Sequence, residues 1–441
     1  MKSALGMSAE FDRLLAAARP QWTGAVLSVD GALISVGGLC GVGRLGDRLR
    51  ILRAGTGALD AEIIALRPDA LVAYAFGSPI GVSAGDRAML QQGGGEVRIC
   101  DDWLGAVLNW RGERIDGSAP RQGVEERRLD AAPPPAQLRR RLGARIATHH
   151  AVLDSFLPLC RGQRIGLFAG SGVGKSLLLA SLAREVEADV CVMALVGERG
   201  REVRAFVEDA LGPQGLSRAV VVASTSDQPA LAKREGARLA MTIAEYFRGR
   251  GKHVLLIVDS LTRYAEAHRE VALAAGEPPS LHAYPPSTFH AIASLVERAG
   301  PGVAGDGDIT AIFSVLVAGS DMDEPVADMV RGVLDGHVVL DRAIAERGRF
   351  PAINVRKSVS RSLPAAASPE ENALLSEARA LLAVYEDAAL IIQAGLYAPG
   401  SDAATDRAIR LWSALDNFFT MIGAETPERR FAQLRDILAA D

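Results

Sequence analysis

The chain has 441 residues, and 49 Lys and Arg stand against 53 Asp and Glu, a net charge of −4. At about 150 residues per domain this length predicts two or three domains, and a composition of 49% hydrophobic and 23% charged residues excludes general disorder. The slight acidity argues against nucleic-acid binding through bulk positive charge, the four scattered cysteines match neither a disulfide framework nor a zinc pattern, and apolar runs such as 254–258 are too short to span a membrane.

Residues 1–20 lack the basic cluster and unbroken apolar core of a secretory signal. They read as an amphipathic helix, with Phe11, Leu14, Leu15 and Ala18 at helical spacing and Pro20 ending it. Two roles fit: a helix packed on its own domain, or an arm for a partner or an acidic membrane surface. From about 21 to 95 the pattern turns to short strands broken by glycine. Ala25–Val29 and Leu33–Val36 flank Asp30-Gly31, a hairpin signature because Asp-Gly supplies the turn's positive φ angles. This region predicts a small β-barrel with a structural or oligomerising role.

Residues 116–141 read as a linker, in which Pro133, Pro134 and Pro135 stiffen the chain and offer no amide donors. Arg139, Arg140 and Arg141 follow, either a solvated face or an interface. From Arg164 onward apolar strands (165–168, 190–196, 219–223, 254–258, 309–317, 338–340) alternate with helices such as 229–248. Continuous apolar strands between helices predict an α/β fold whose parallel sheet is buried on both faces. After Pro364 the strands stop, and 369–395, 402–421 and 427–438 read as helices. The expected organisation is an arm (1–20), a β-barrel (21–95), an α/β core (96–365) and a helical C-terminal domain (366–441).

The strongest chemical signal is Ala169-Gly-Ser-Gly-Val-Gly-Lys-Ser176, a phosphate loop in which Ala169 stands where the strict pattern has glycine. Backbone amides of Gly170, Ser171, Gly172, Val173 and Gly174 and of the helix start at Leu177 suit an anion. Lys175 reaches terminal phosphates, and the Ser176 hydroxyl suits Mg²⁺. The strand 253–258 delivers Asp259 to the sheet's C-terminal edge, where a carboxylate can hold Mg²⁺ through water. Ser260 follows, so a glutamate adjacent to Asp259 is missing. The strand 190–196 instead ends in Gly197-Glu198-Arg199, which makes Glu198 the candidate general base. Arg199 is a candidate for the γ-phosphate or for an ion pair within its charged turn. Phe350 is a candidate ring for stacking on adenine, and Arg361 a candidate arginine finger.

Taken together, 168–176, Gly197-Glu-Arg-Gly-Arg-Glu-Val203, Asp259-Ser-Leu-Thr-Arg263, Tyr284-Pro-Pro-Ser287, Asp321–Asp328, Phe350-Pro-Ala-Ile-Asn354 and Ser358-Val-Ser-Arg361 resemble the ATPases of bacterial type III protein export, the flagellar branch most closely. Gly400-Ser401-Asp402 resembles that family's C-terminal domain. The resemblance implies a P-loop, RecA-like core, ATP and Mg²⁺ as cofactors, and a homohexameric ring related to rotary ATP synthases. It implies phosphate and Mg²⁺ roles for Lys175 and Ser176, water activation by Glu198, a second Mg²⁺ carboxylate at Asp259, adenine stacking by Phe350, and an arginine finger at Arg361 acting on the neighbouring subunit. It further implies a stator-like regulatory partner at the N-terminal arm, export substrates and chaperones at the C-terminal domain, and a cytoplasmic location at the membrane export gate. The implied activity is ATP hydrolysis that releases and unfolds export substrates.

Other functions share parts of this pattern. A rotary catalytic subunit lacks Asp321–Asp328 in this form, and a non-catalytic ring subunit typically has Gln where Glu198 stands. A hexameric RNA translocase calls for clustered aromatics and a basic surface in the barrel. An injectisome ATPase is the nearest rival.

Overall fold

The structure, a computed structural model, describes residues 21–55, 57–91, 95–118, 123, 125–317, 322 and 324–440. The expected helical arm at 1–20 and most of the stretch 318–323 lie outside these. Two compact units are present, one on residues up to Glu96 with Glu270–Glu277, the other on Val97–Arg269 and Pro278–Asp441.

The first unit is a closed barrel of β1 (Thr23–Asp30), β2 (Leu33–Gly37), β3 (Arg48–Arg53), β4 (Gly57–Leu66), β5 (Leu71–Ala75) and β6 (Arg87–Gln91), in the order β1-β2-β5-β4-β3-β6. The β1–β2 hairpin turns at Asp30-Gly31, pairing Asp30 with Leu33. Alternation decides what faces inward: in β3, Leu49 and Ile51 are buried while Arg50 is exposed. Val26, Ile34, Val36, Leu71 and Ala73 complete that core.

Apart from Glu96, the first residue of the next strand, the remaining strands belong to the second unit. β7 (Glu96–Ile99) and β9 (Glu125–Arg128) form a two-stranded sheet, so part of the expected linker is paired strand. The proline run itself, which has no amide to donate, stays outside any sheet. The large sheet contains β8 (Val107–Leu108), β10 (Arg164–Ala169), β11 (Val190–Val196), β12 (Ala219–Ser224), β13 (His253–Asp259), β14 (Gly300–Pro301), β15 (Asp308–Leu316), β16 (Gly336–Leu340) and β17 (Val359–Ser360). Its path is β17-β16-β10-β15-β13-β11-β12-β8, with β14 against β15. The long strands run parallel, and only the short β14 and β17 are antiparallel. β11 and β13 are buried at every residue, as an interior strand covered on both faces requires.

Helices cover the two faces. α1 (Lys175–Glu185) follows the phosphate loop, and α2 (Ala230–Arg248) places Leu239, Ile243, Tyr246 and Phe247 in the core of one face. α3 (Pro369–Gln393), α4 (Ala403–Phe418) and α5 (Pro427–Ala439) form the C-terminal helical region. They begin at side-chain caps, a Ser368/Glu371 capping box, Asp402 and Thr426, which satisfy otherwise unpaired first-turn amides. Leu375, Leu382, Leu415, Phe418 and Leu434 share one hydrophobic cluster with α1 and the other face of the sheet. Among the described residues, no helix is long and apolar enough to cross a membrane.

Candidate active site

Parallel strands carry their C-terminal ends to one edge, and the candidate residues gather there. β10 ends at Ala169, whose carbonyl accepts Val317 N (3.1 Å). Ala169 is still a buried strand residue, so the first position of the phosphate loop needs no unusual backbone and tolerates alanine. The loop turns at Gly174, the N-terminal cap of α1, with φ +85°. A Cβ there would lie 3.1 Å from two ring carbons of Phe350, so left-handed backbone and a close aromatic neighbour both call for glycine.

β13 delivers Asp259 to the same edge, in register with Leu195 of β11. Three residues past Leu195 the chain reaches Glu198. Lys175 Nζ bonds Asp259 Oδ1 and stands 3.6 Å from Glu198 Oε1. Asp259 also accepts the Ser314 hydroxyl from β15 (2.5 Å). Ser314 escaped the sequence reading. It is a serine set between Phe313 and Val315 in an apolar strand, and that polar interruption is the signal that marks it. Burial and the nearby Asp259 charge both raise the Glu198 pKa above the ordinary carboxylate range, and Lys175 opposes them.

Ser176, Leu177, Glu198, Phe206 and Asp259 line a cleft of about 320 Å³, within the size range of small-ligand sites. Leu177 is 71% exposed at the helix start, and Phe350 is 47% exposed beside Gly174. The Ser176 hydroxyl and the Asp259 carboxylate are hard oxygen donors in one cleft, a set that fits Mg²⁺ shared with phosphate and water.

Two candidates stand apart. Arg199 is exposed and pairs with Glu202 (3.0 Å) at the start of the helical turn Gly200–Ala205. Arg361 follows β17, which pairs antiparallel with the start of β16, Gly336 opposite Ser360. Its backbone amide donates to Asp335 O (3.0 Å), at the level of Arg164. Ala169 lies five residues further along β10, roughly 16 Å at about 3.3 Å per residue. The Arg361 guanidinium is exposed and donates to Arg331 O (3.2 Å).

The arginine run also has a place. Arg139 donates to Glu297 O and Ala299 O (3.4 Å), and Arg140 reaches Asp308 (2.6 Å) and two carbonyls beside it. Arg141 is exposed.

Residues 150–360 match the ATP synthase alpha/beta family, nucleotide-binding domain, and residues 367–420 match the T3SS EscN ATPase C-terminal domain. The chain is 46% identical over 428 residues to a flagellum-specific ATP synthase of Caulobacter vibrioides, covering 95% of this chain and 96% of that protein. It is similar to the structure of the assembled ATPase EscN from the type III secretion system of enteropathogenic E. coli, with TM-score 0.87, 38% identity, 94% of this chain and 100% of that one. The same protein in complex with its central stalk EscO matches with TM-score 0.85 at 38% identity, over the same shares of both chains.

Proposed function

The chain belongs to the family of flagellum-specific ATPases, and from that premise we propose how its residues divide the work of hydrolysis. It is an ATP-hydrolysing enzyme of flagellar type III protein export. The observation that carries the mechanism is the meeting of Lys175, Glu198 and Asp259, from three chain segments, at the phosphate loop.

Backbone amides of 170–177 hold the phosphates while Lys175 contacts the terminal ones. Ser176 and Asp259 would hold Mg²⁺, which when bound neutralises charge on the phosphates. Glu198, with its raised pKa, accepts the proton of the attacking water. Phe350 stacks on adenine. Arg361 serves the neighbouring subunit, because its own phosphate loop lies a strand's length away. Arg199 is a contact to the γ-phosphate only once released from Glu202.

The same premise leads to a homohexameric ring, and the assembled EscN and its complex with a central stalk support self-assembly and a stalk-like partner. Arm (1–20), barrel (21–95), core (96–365) and helical domain (366–441) are the proposed domains. A stator-like regulator would bind the arm and export substrates with chaperones the helical domain, on the cytoplasmic side of the membrane export gate. A deletion strain tests this reading: it should lose filament protein outside the cell and regain it with the wild-type gene but not with Lys175→Ala. Intact motility with lost effector secretion would assign the chain to an injectisome, a reading that the EscN likeness keeps in view.

A further inference from the structure

The segment carrying Arg361 is anchored to the base of the strand that ends in the phosphate loop. Gln163, fully buried, donates to Asp335 O (3.1 Å) and to Ser360 Oγ (3.0 Å). Ser360 in turn donates to Pro158 O (2.7 Å), and the Arg361 amide donates to Asp335 O (3.0 Å). At Gly336 a Cβ would lie 2.5 Å from Val359 O, so β17 lies as close to this turn as backbone allows.

The Asp335 carboxylate accepts three hydrogen bonds from Arg164: the backbone amide to Oδ2 (3.0 Å), Nε to Oδ2 (3.1 Å) and Nη2 to Oδ1 (3.2 Å). Such two-point guanidinium–carboxylate pairs fix geometry as well as adding energy. Arg164 also stands 2.7 Å from Glu297, which accepts from Arg139 (3.3 Å). The backbone beneath Arg361 is therefore held on several sides, while its guanidinium is exposed and donates to Arg331 O (3.2 Å).

We propose that Asp335, clamped by Arg164, is a positioning residue for Arg361, setting where the guanidinium enters the neighbouring subunit's site. This rests on Arg361 acting in trans, as read above. Asp335 does not touch the nucleotide of its own subunit, because it sits at the start of β16, level with Arg164 and a strand away from Ala169. Displacing a reacting group by about 1 Å costs on the order of 10²-fold in rate.

Asp335→Ala should leave ADP affinity, read by calorimetry, unchanged and lower ring turnover about 10²-fold. Asp335→Asn, which keeps an acceptor for Arg164, should restore much of it. Mixing separates positioning from general damage. Asp335→Ala mixed with Glu198→Gln should recover activity, since some interfaces pair a sound glutamate with a sound arginine. Mixed with Arg361→Ala it should recover none, since no interface has an arginine in place. The reverse pattern, or undiminished turnover of Asp335→Ala, overturns the proposal. Arg164→Leu breaks the same clamp and substitutes in the mixtures if Asp335→Ala does not fold. The control is Arg361→Ala with Glu198→Gln: its recovery upholds the trans reading independently, and its failure removes that reading and this proposal together.

Discussion

Lys175 and Glu198 stand 3.6 Å apart, Nζ to Oε1, and the same ammonium bonds Asp259 on the next strand. One cation thus lies between two carboxylates. On the proposed reading, phosphate oxygens and these carboxylates are alternative partners for Lys175, and Glu198 acts only when water attacks.

That division predicts opposite phenotypes for two substitutions. Lys175→Ala should raise the Kd for ADP, because lysine contacts ground-state phosphate. Glu198→Gln should leave that Kd near wild type and lower kcat by about 10²–10⁴-fold. Equilibrium titration and steady-state kinetics on the two variants check this, and near-normal turnover in Glu198→Gln would falsify the role of general base.

The raised pKa of Glu198 has two pH signatures. A base must be ionised, so the acid limb of kcat should fall above the usual carboxylate range. Stability follows the opposite sign: the protonated carboxyl is favoured in the folded state, so its contribution is full below the unfolded pKa and is lost as pH rises through the folded one. Glu198→Gln should therefore raise Tm at neutral pH, with the gain vanishing in acid, as scanning calorimetry across pH reads directly.

Much of this site was legible because its parts are local. The phosphate loop is one contiguous string, and Asp259 and Glu198 each close an apolar strand whose parallel partner aligns Leu195 with Asp259. What sequence could not give was contact between distant segments. The bond from Ser314 to Asp259 spans two neighbouring strands, and Arg139 and Arg140 find partners about 160 residues away. Burial by the fold, not the local string, decides those pairings. The same applies to the C-terminal helices, whose apolar faces predict burial but not the shared cluster with α1 and the sheet.

Arg298 and Glu245 form a pair buried on both sides, with Nη2 2.6 Å from Oε2 and further bonds to Leu129 O and Thr242 Oγ1. Removing one partner leaves an uncompensated charge in the interior, so Glu245→Ala should cost about 3–5 kcal/mol. Urea unfolding measures it. A loss below about 1 kcal/mol would show that water reaches Arg298 in the variant.

Phe350 presents its ring beside Gly174 at the phosphate loop and is 47% exposed, so one face is open to a ligand. If adenine stacks there, Phe350→Ala should lose about 1–3 kcal/mol of nucleotide binding, raising KM for ATP with kcat little changed, while Phe350→Tyr keeps wild-type KM. An unchanged KM in Phe350→Ala places the base elsewhere.

Arg361 gives the sharpest test of assembly. Through its backbone it is tied to Asp335 at the start of β16, and the phosphate loop of the same chain begins at the far end of β10. An arginine supplied in trans is worth roughly 10³–10⁵ in rate, so a lone subunit should bind ATP yet turn it over slowly. Turnover per subunit should climb with protein concentration as neighbours meet. Arg361→Ala should flatten that climb without weakening ATP binding in dilute protein. Concentration-independent turnover in the wild type would mean that each chain completes its own site, and the guanidinium would then need a different job.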